Sequence, residues 1–257
     1  MEADVDSINN FRANSIIRIS AIGDILLGDN LKKYGKNSDG LYTDIFSDIT
    51  RYLEGSDITL GTYETNVTDD TKAFANAVKD AGIDFVTLAH NHALDNEEEG
   101  LKDTQDYLES IGIQTVGKYT EEVQDRIKII EEKGVKIAIL AYTYDNGETG
   151  VNIYSEELAS EDLAYANENA DFTIVLMHWG DVYKEEPNST QKAQAQFLVD
   201  NGTDIIIGAH PSVVEPMEIL KNKDGQDCLV AYSLGDFTSD FSYENSNLEL
   251  VLNIPTG

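Results

Sequence analysis

Short apolar runs alternate with amphipathic stretches along this chain, giving one period near two residues for strands and another near 3.6 for helices. Ile16-Ile17-Arg18-Ile19-Ser20-Ala21-Ile22 is β-branched and runs into Gly23-Asp24, which predicts a buried first strand ending in a turn. A helix is expected over 42–54, then a short strand over 57–61 that leads into Thr62-Tyr63-Glu64. Helical spacing from Thr71 to Ala81 stops at Gly82, and Ile83 to Ala89 predicts a strand that delivers His90-Asn91-His92. Glu97 to Ile111 reads as a helix whose three leading glutamates suit the positive end of its dipole. Strands are expected over 113–116 and 135–141, with a weaker amphipathic segment between them. A helix over 162–169 precedes an apolar strand, 172–177, that ends in His178-Trp179-Gly180-Asp181. A helix over 188–201 precedes a strand over 204–207 that runs into Gly208-Ala209-His210-Pro211-Ser212. Segments 213–220 and 228–234 look like paired strands, and 248–254 like a last one.

Strand-helix units followed by a β-rich C-terminal part predict an α/β fold, a layered α/β/β/α sandwich of two packed mixed sheets flanked by helices. Residues 1–15 read as a polar lead and residues 16–257 as a single domain, since no linker-like stretch interrupts them. At 41% hydrophobic over 257 residues, the chain has enough apolar surface to offset the entropy of ordering it.

Charge narrows the range of partners. Asp and Glu number 48 against 18 Lys and Arg, a formal net charge of -30 that repels phosphate backbones and anionic membrane surfaces. Nucleic acid is therefore not an expected partner. The acidic residues are spread along the whole chain and read as a solvated surface, with attraction for cations as the sharper alternative. Cys228 is the single cysteine and lies in an apolar run, where a thiol behaves as a small buried apolar group. No run of about 18 apolar residues occurs, so no transmembrane segment is predicted. The chain reads as a soluble body, with any export signal or anchor lying outside it.

In open α/β sheets the ligand crevice lies beyond the carboxyl ends of the strands. All four histidines, His90, His92, His178 and His210, are expected there, together with Asp24, Glu64 and Asn91. A set of Asp, Glu, Asn and His donors suits a hard or borderline divalent ion. Each residue also has a plainer reading: Asp24, Glu64 and Asn91 as turn residues, His178 as a packed ring. Their recurrence at the ends of separate strands is what predicts one shared site.

The ordered motifs Gly23-Asp24-Ile25-Leu26-Leu27, Asn91-His92-Ala93-Leu94-Asp95, His178-Trp179-Gly180, Gln191, Gly208-Ala209-His210-Pro211 and Tyr232-Ser233-Leu234-Gly235 with Phe237 resemble the bacterial capsule-synthesis CapA family. The resemblance spans roughly Arg18 to Asp240. It implies a calcineurin-like metallophosphoesterase fold and a divalent metal, one of Mn, Mg, Fe or Zn. It also implies Asp24, Glu64, Asn91, His178 and His210 as metal ligands, and His92 as the group facing a leaving group. His90, Asp95, Asp181, Ser212 and Asp236 are expected to line the site without ligating. Two departures count against full occupancy, because Ser212 and Leu26 stand where histidine donors would be. The expected function is that of a cell-envelope protein, extracellular or bound to the cell surface. It would act in synthesis, export or anchoring of an anionic capsular polymer such as poly-γ-glutamate, through a metal-dependent hydrolase-type site. Its expected partners are that polymer or its synthesis and export machinery. A surface at -30 repels such a polymer unless a cation mediates. Two alternatives stay open: a metal-dependent phosphoesterase, and a non-catalytic binding module on the same fold.

Overall fold

The apolar runs become strands because β-branched residues pack well on a pleated, buried surface. The computed structural model describes residues 16–144, 150–240, 242–246 and 248–256; the polar lead at 1–15 lies outside them. The first sheet is built from β1 (Ile17–Ile25), β2 (Ile58–Tyr63), β3 (Phe85–Thr87), β4 (Gln114–Val116) and β11 (Asp236–Thr238), in the order β11-β1-β2-β3-β4 and all parallel. An antiparallel strand, β12 (Leu252–Thr256), also pairs with β1. The second sheet comprises β5 (Lys128–Glu132), β6 (Val135–Thr143), β7 (Phe172–His178), β8 (Ile205–Ala209), β9 (Val214–Lys221) and β10 (Asp227–Leu234), in the order β5-β6-β7-β8-β10-β9. Only β5 and β9, at its two edges, run antiparallel to their neighbours.

The two-residue period sorts β7 between two cores. Ile174 and Leu176 join Ile19, Ala21 and Leu60 of the first sheet in an inner core between the sheets. Val175 and Met177 face the other way, packing with Leu163, Ala166, Leu198 and Val199. Those four lie on the helices α6 (Glu156–Asn169) and α7 (Ser189–Asp200). Helices α3 (Lys72–Asp80) and α4 (Glu97–Ser110) cover the first sheet with Phe74, Val78, Leu101 and Leu108. The layered α/β/β/α expectation is met. No helix among the described residues is long and apolar enough to cross a membrane.

Several local expectations need correction. The helix expected over 42–54 is broken into a 3-10 turn, Thr43–Phe46, and a short α2 (Thr50–Leu53). Ser47 Oγ donates to the Asp44 carbonyl and Thr50 Oγ1 to the Phe46 carbonyl, local bonds by which hydroxyl side chains compete with a continuous helix. The amphipathic segment before residue 135 holds α5 (Val123–Arg126) and then β5, which forms a hairpin with β6. Lys133 and Gly134 both take positive φ, 52° and 83°, the geometry of the tightest hairpin turns. Helix α6 begins six residues earlier than 162, at Glu156, because the Ser155 side chain caps it by accepting from the Leu158 N–H. The last strand occupies 252–256, and neither α1 (Asp29–Tyr34) nor β11 has a clear periodic signal.

Two glycines set how closely strands approach one another. A Cβ on Gly23 would lie 1.7 Å from the Gly235 carbonyl oxygen, and one on Gly208 would lie 1.9 Å from that of Tyr232. Either contact is with backbone, which cannot swing aside. Gly23→Ala and Gly208→Ala are each expected to destabilise the chain by at least about 2 kcal/mol, an overpacking cost, as measured by urea unfolding.

Candidate metal centre

Strand ends from both sheets converge on one buried cluster. Asp24 lies within β1, one residue before its end, rather than in a turn after it. Glu64 follows β2, and its N–H donates to the Ile25 carbonyl, 3.1 Å away. His178 is the last residue of β7, and His210 follows β8. Because β3 ends at Thr87, three residues earlier than His90, the pair His90 and His92 belongs to the turns beyond that strand.

One ligand-type atom each from Asp24, Glu64 and His178 lies within 4.8 Å of the others. His178 is fully buried, and Asp24 and Glu64 are only 3% and 9% exposed. His178 Nε2 faces two acceptors, Asn91 Oδ1 at 2.8 Å and Glu64 Oε1 at 3.4 Å. Burial drives the His178 pKa well below its usual value, with help from the neighbouring rings of His210, His90 and His92, so the ring is neutral. The tautomer that donates from Nε2 to Asn91 Oδ1 is the one these contacts favour. That leaves Nδ1 as a bare lone pair, buried and without a hydrogen-bond partner, and it points at Asp24 Oδ1, 3.6 Å away, which has no donor either. Two facing lone pairs repel, while a cation between them satisfies both. Donor atoms around a tetrahedral ion with bonds near 2.1 Å are about 3.4 Å apart, close to the spacing here.

The carboxylates carry the same mark. Burial and the charge of Asp236 push Asp24 up to about 7, against the opposing hydrogen bond from the His210 N–H to its Oδ2 at 2.8 Å. Glu64 is raised well above the usual carboxylate range by burial and by the charge of Asp24. No Lys or Arg is ion-paired with either acid among the described residues, so a proton or a metal must compensate them. His210 is held at φ 97°, a strained geometry for a residue with a Cβ. Its ring packs 4.6 Å from that of His178, and burial lowers its pKa to about 4.

The remaining expected residues surround this cluster. His92 is partly exposed, and its Nδ1 is 3.0 Å from Asp95 Oδ2, so Nε2 is the ring nitrogen turned away from that contact. His90 is buried, pushed down to about 3 by burial, and its Nδ1 accepts from the His92 backbone N–H at 3.2 Å. It thus fixes the turn carrying His92. Asp181 is exposed and accepts from Asn188 Nδ2 at 2.8 Å. Ser212 is buried and bonded to the Asp236 carboxylate. Leu26 and Glu64 line one small cleft of about 250 Å³ with Asp95.

Two features went unforeseen. The Tyr144 ring stacks 6.4 Å from that of His178 and lies 5.0 Å from that of His210, walling the site. It follows β6, so its strand-end position was the available signal. Glu215 is buried and accepts from Gln191 Nε2 at 2.7 Å, beneath the Gly180 turn. Burial pushes it up to about 7. An acid inside an otherwise apolar strand start was its signal.

Residues 18–241 match the family model described as bacterial capsule synthesis protein PGA_cap. The chain is 27% identical over 252 residues to the PGA biosynthesis protein CapA of Bacillus subtilis (strain 168), an alignment covering 89% of this chain and 64% of that protein. It is 29% identical over 260 residues to the capsule biosynthesis protein CapA of Bacillus anthracis, covering 89% and 61%. The chain therefore spans less than two thirds of the length of these curated relatives. Among solved structures it is similar to a Staphylococcus aureus protein provisionally named a 5'-nucleotidase, in complex with alpha-ketoglutarate. That likeness has a TM-score of 0.54 at 13% identity and covers 91% of this chain and 57% of that one. At this identity it shows the fold alone, a metallophosphoesterase-like one. With the family model matched over nearly its whole length, the chain belongs to the bacterial capsule synthesis protein PGA_cap family.

Proposed function

We propose that this chain acts in the synthesis, export or anchoring of an anionic capsular polymer such as poly-γ-glutamate, at the cell surface, through a divalent-metal site of hydrolase type. Family membership supports the capsular setting. The observation that carries the site is the pair of facing, unpartnered lone pairs on Asp24 Oδ1 and His178 Nδ1.

Asp24, Glu64, His178 and His210 would hold the ion. Asn91 serves it by fixing the His178 tautomer from the far side of the ring. When bound, a divalent ion supplies Lewis-acid polarisation of a phosphoryl or carbonyl oxygen and acidifies water. His92, oriented by Asp95, is the residue placed to give a proton to a leaving oxygen. His90 keeps it in place through the bond to its backbone N–H. A cation bound in the cluster would also offset part of the charge of -30 near the site, which lowers the repulsion a polyanion meets there.

Four outcomes are expected. Elemental analysis after dialysis against Mn²⁺ or Zn²⁺ should find metal bound in the unmutated chain and lost from this position in His178→Ala. Asp24 and Glu64 keep their protons to higher pH than ordinary carboxylates, whereas His178 and His210 are already neutral, so metal binding displaces carboxyl protons. Affinity by titration calorimetry should therefore fall as pH falls, about tenfold per unit for each proton displaced. Immobilised poly-γ-glutamate should retain the chain only with a divalent cation present, and retention that persists in EDTA would oppose the reading. Any phosphate-ester turnover should drop about 10²- to 10⁴-fold in His92→Ala with metal content unchanged, a split that separates proton transfer from ligation.

A further inference from the structure

The cleft that Glu64 shares with Asp95 also holds donors that neither the metal nor the proton transfer uses. Besides those two acids it is lined by Lys32, Thr65 and Asn66. Each acid is accounted for: Glu64 faces His178 Nε2 at 3.4 Å in the candidate metal centre, and Asp95 faces His92 Nδ1 at 3.0 Å. Lys32, on α1, is exposed, and its ammonium group has no ion pair, hydrogen bond or ring contact among the described residues. Its neighbours differ, since Lys33 lies over the Tyr34 ring, Lys36 over that of Tyr42, and Lys72 pairs with Asp69 at 2.7 Å. Thr65 is 7% exposed; its Oγ1 accepts from the Leu27 N–H at 2.7 Å, and no acceptor among the described residues takes its own proton. Asn66 Nδ2 donates to the His92 carbonyl at 3.3 Å, which fastens the cleft wall to the turn that carries His92. Once the acids have their partners, the cleft is left with an ammonium group and a hydroxyl proton, and those two donors suit an anion.

We propose that Lys32 and the Thr65 hydroxyl form an anion subsite beside the metal centre, which takes one carboxylate or phosphate of the substrate and makes Lys32 a specificity-determining residue. Its place in the reaction rests on the reading of Glu64 as a metal ligand. Size limits what enters, because about 250 Å³ lies below the roughly 300–1,000 Å³ of pockets that take drug-sized ligands. A single anionic group fits. The surroundings limit it further: a larger groove of about 800 Å³ shares Thr68 and Asn96 with the cleft and is walled by Asp69, Glu99, Asp103 and Asp106. Lys72 is the basic residue of that groove and is already paired with Asp69, so a second negative charge is repelled there. A lysine ammonium is a point charge that accepts planar carboxylate and tetrahedral phosphate alike, and the two sources are separated by the choice of probe.

The test is titration calorimetry with γ-glutamylglutamate and with methylphosphonate, a phosphate mimic that resists hydrolysis. It is run on the unmutated chain, Lys32→Gln, Lys32→Arg and Lys72→Gln, each with Mn²⁺ and in EDTA, with metal content measured in parallel. Lys32→Gln is expected to weaken binding about tenfold or more, the loss of one charge-assisted hydrogen bond, with metal content unchanged. Lys32→Arg keeps the charge and should restore most of the affinity, and Lys72→Gln, which removes a charge already paired in the next groove, should bind as the unmutated chain does. A Lys32-dependent loss confined to γ-glutamylglutamate assigns the subsite to a carboxylate, and one confined to methylphosphonate assigns it to a phosphate. Binding that weakens in Lys32→Gln even in EDTA, in a chain that takes up no metal, would support the subsite while refuting the metal centre. Metal bound normally while Lys32→Gln and the unmutated chain bind both probes equally, or an equal loss in Lys72→Gln, would overturn the subsite and leave the centre standing. No binding of either probe to the unmutated chain would overturn it as well.

Discussion

Burying Asp24 and Glu64 against the neutral ring of His178 places like charges and lone pairs together where water cannot screen them. Such an arrangement persists only because the fold around it is over-determined. Asp24 is held by strand pairing on both sides, to β2 and to β11, and its second oxygen accepts from the His210 backbone. His178 ends a strand paired on both sides as well. The inner core between the sheets fixes the distance between those strand ends. Without a compensating ion, the cost of the cluster falls on that packing; with one, the same atoms become its coordination shell.

The two sheets divide the labour. The first contributes the acids Asp24 and Glu64 and, through the turn after β3, His90, Asn91 and His92. The second contributes His178 and His210 and walls the site with Tyr144. Neither sheet alone brings the acids together with His178 and His210, so the candidate metal centre depends on the two sheets packing against each other. Close approach at Gly23 and Gly208 therefore belongs to the site as much as to the fold.

What could be read from sequence divides along physical lines. Central strands such as β6, β7 and β8 are continuous apolar runs, and helices such as α3, α4 and α7 stop at Gly82, Gly112 and Gly202, so both were legible. The edge strand β5 was not, because Lys128-Ile129-Ile130-Glu131-Glu132 lacks strand alternation and groups its apolar residues as an amphipathic helix does, and its turn depends on positive φ at Lys133 as well as Gly134. The break near Ser47 and Thr50 arises from local side-chain bonds that periodicity cannot register. For the site, the recurrence of Asp24, Glu64, His178 and His210 at strand ends predicted their convergence, which the geometry shows. What recurrence could not tell is orientation: that Asn91 meets the His178 Nε2, that His90 supports the turn rather than facing the cluster's acids, or that Ser212 pairs with Asp236. Those depend on tautomer and on backbone φ, which three dimensions decide.

Anomalous diffraction from crystals soaked in Mn²⁺ tests the central claim most directly. A peak between Asp24 Oδ1 and His178 Nδ1, at about 2.0–2.2 Å from each, is the predicted result. A saturating soak that leaves that gap without anomalous density, with the two side chains unmoved, would contradict it.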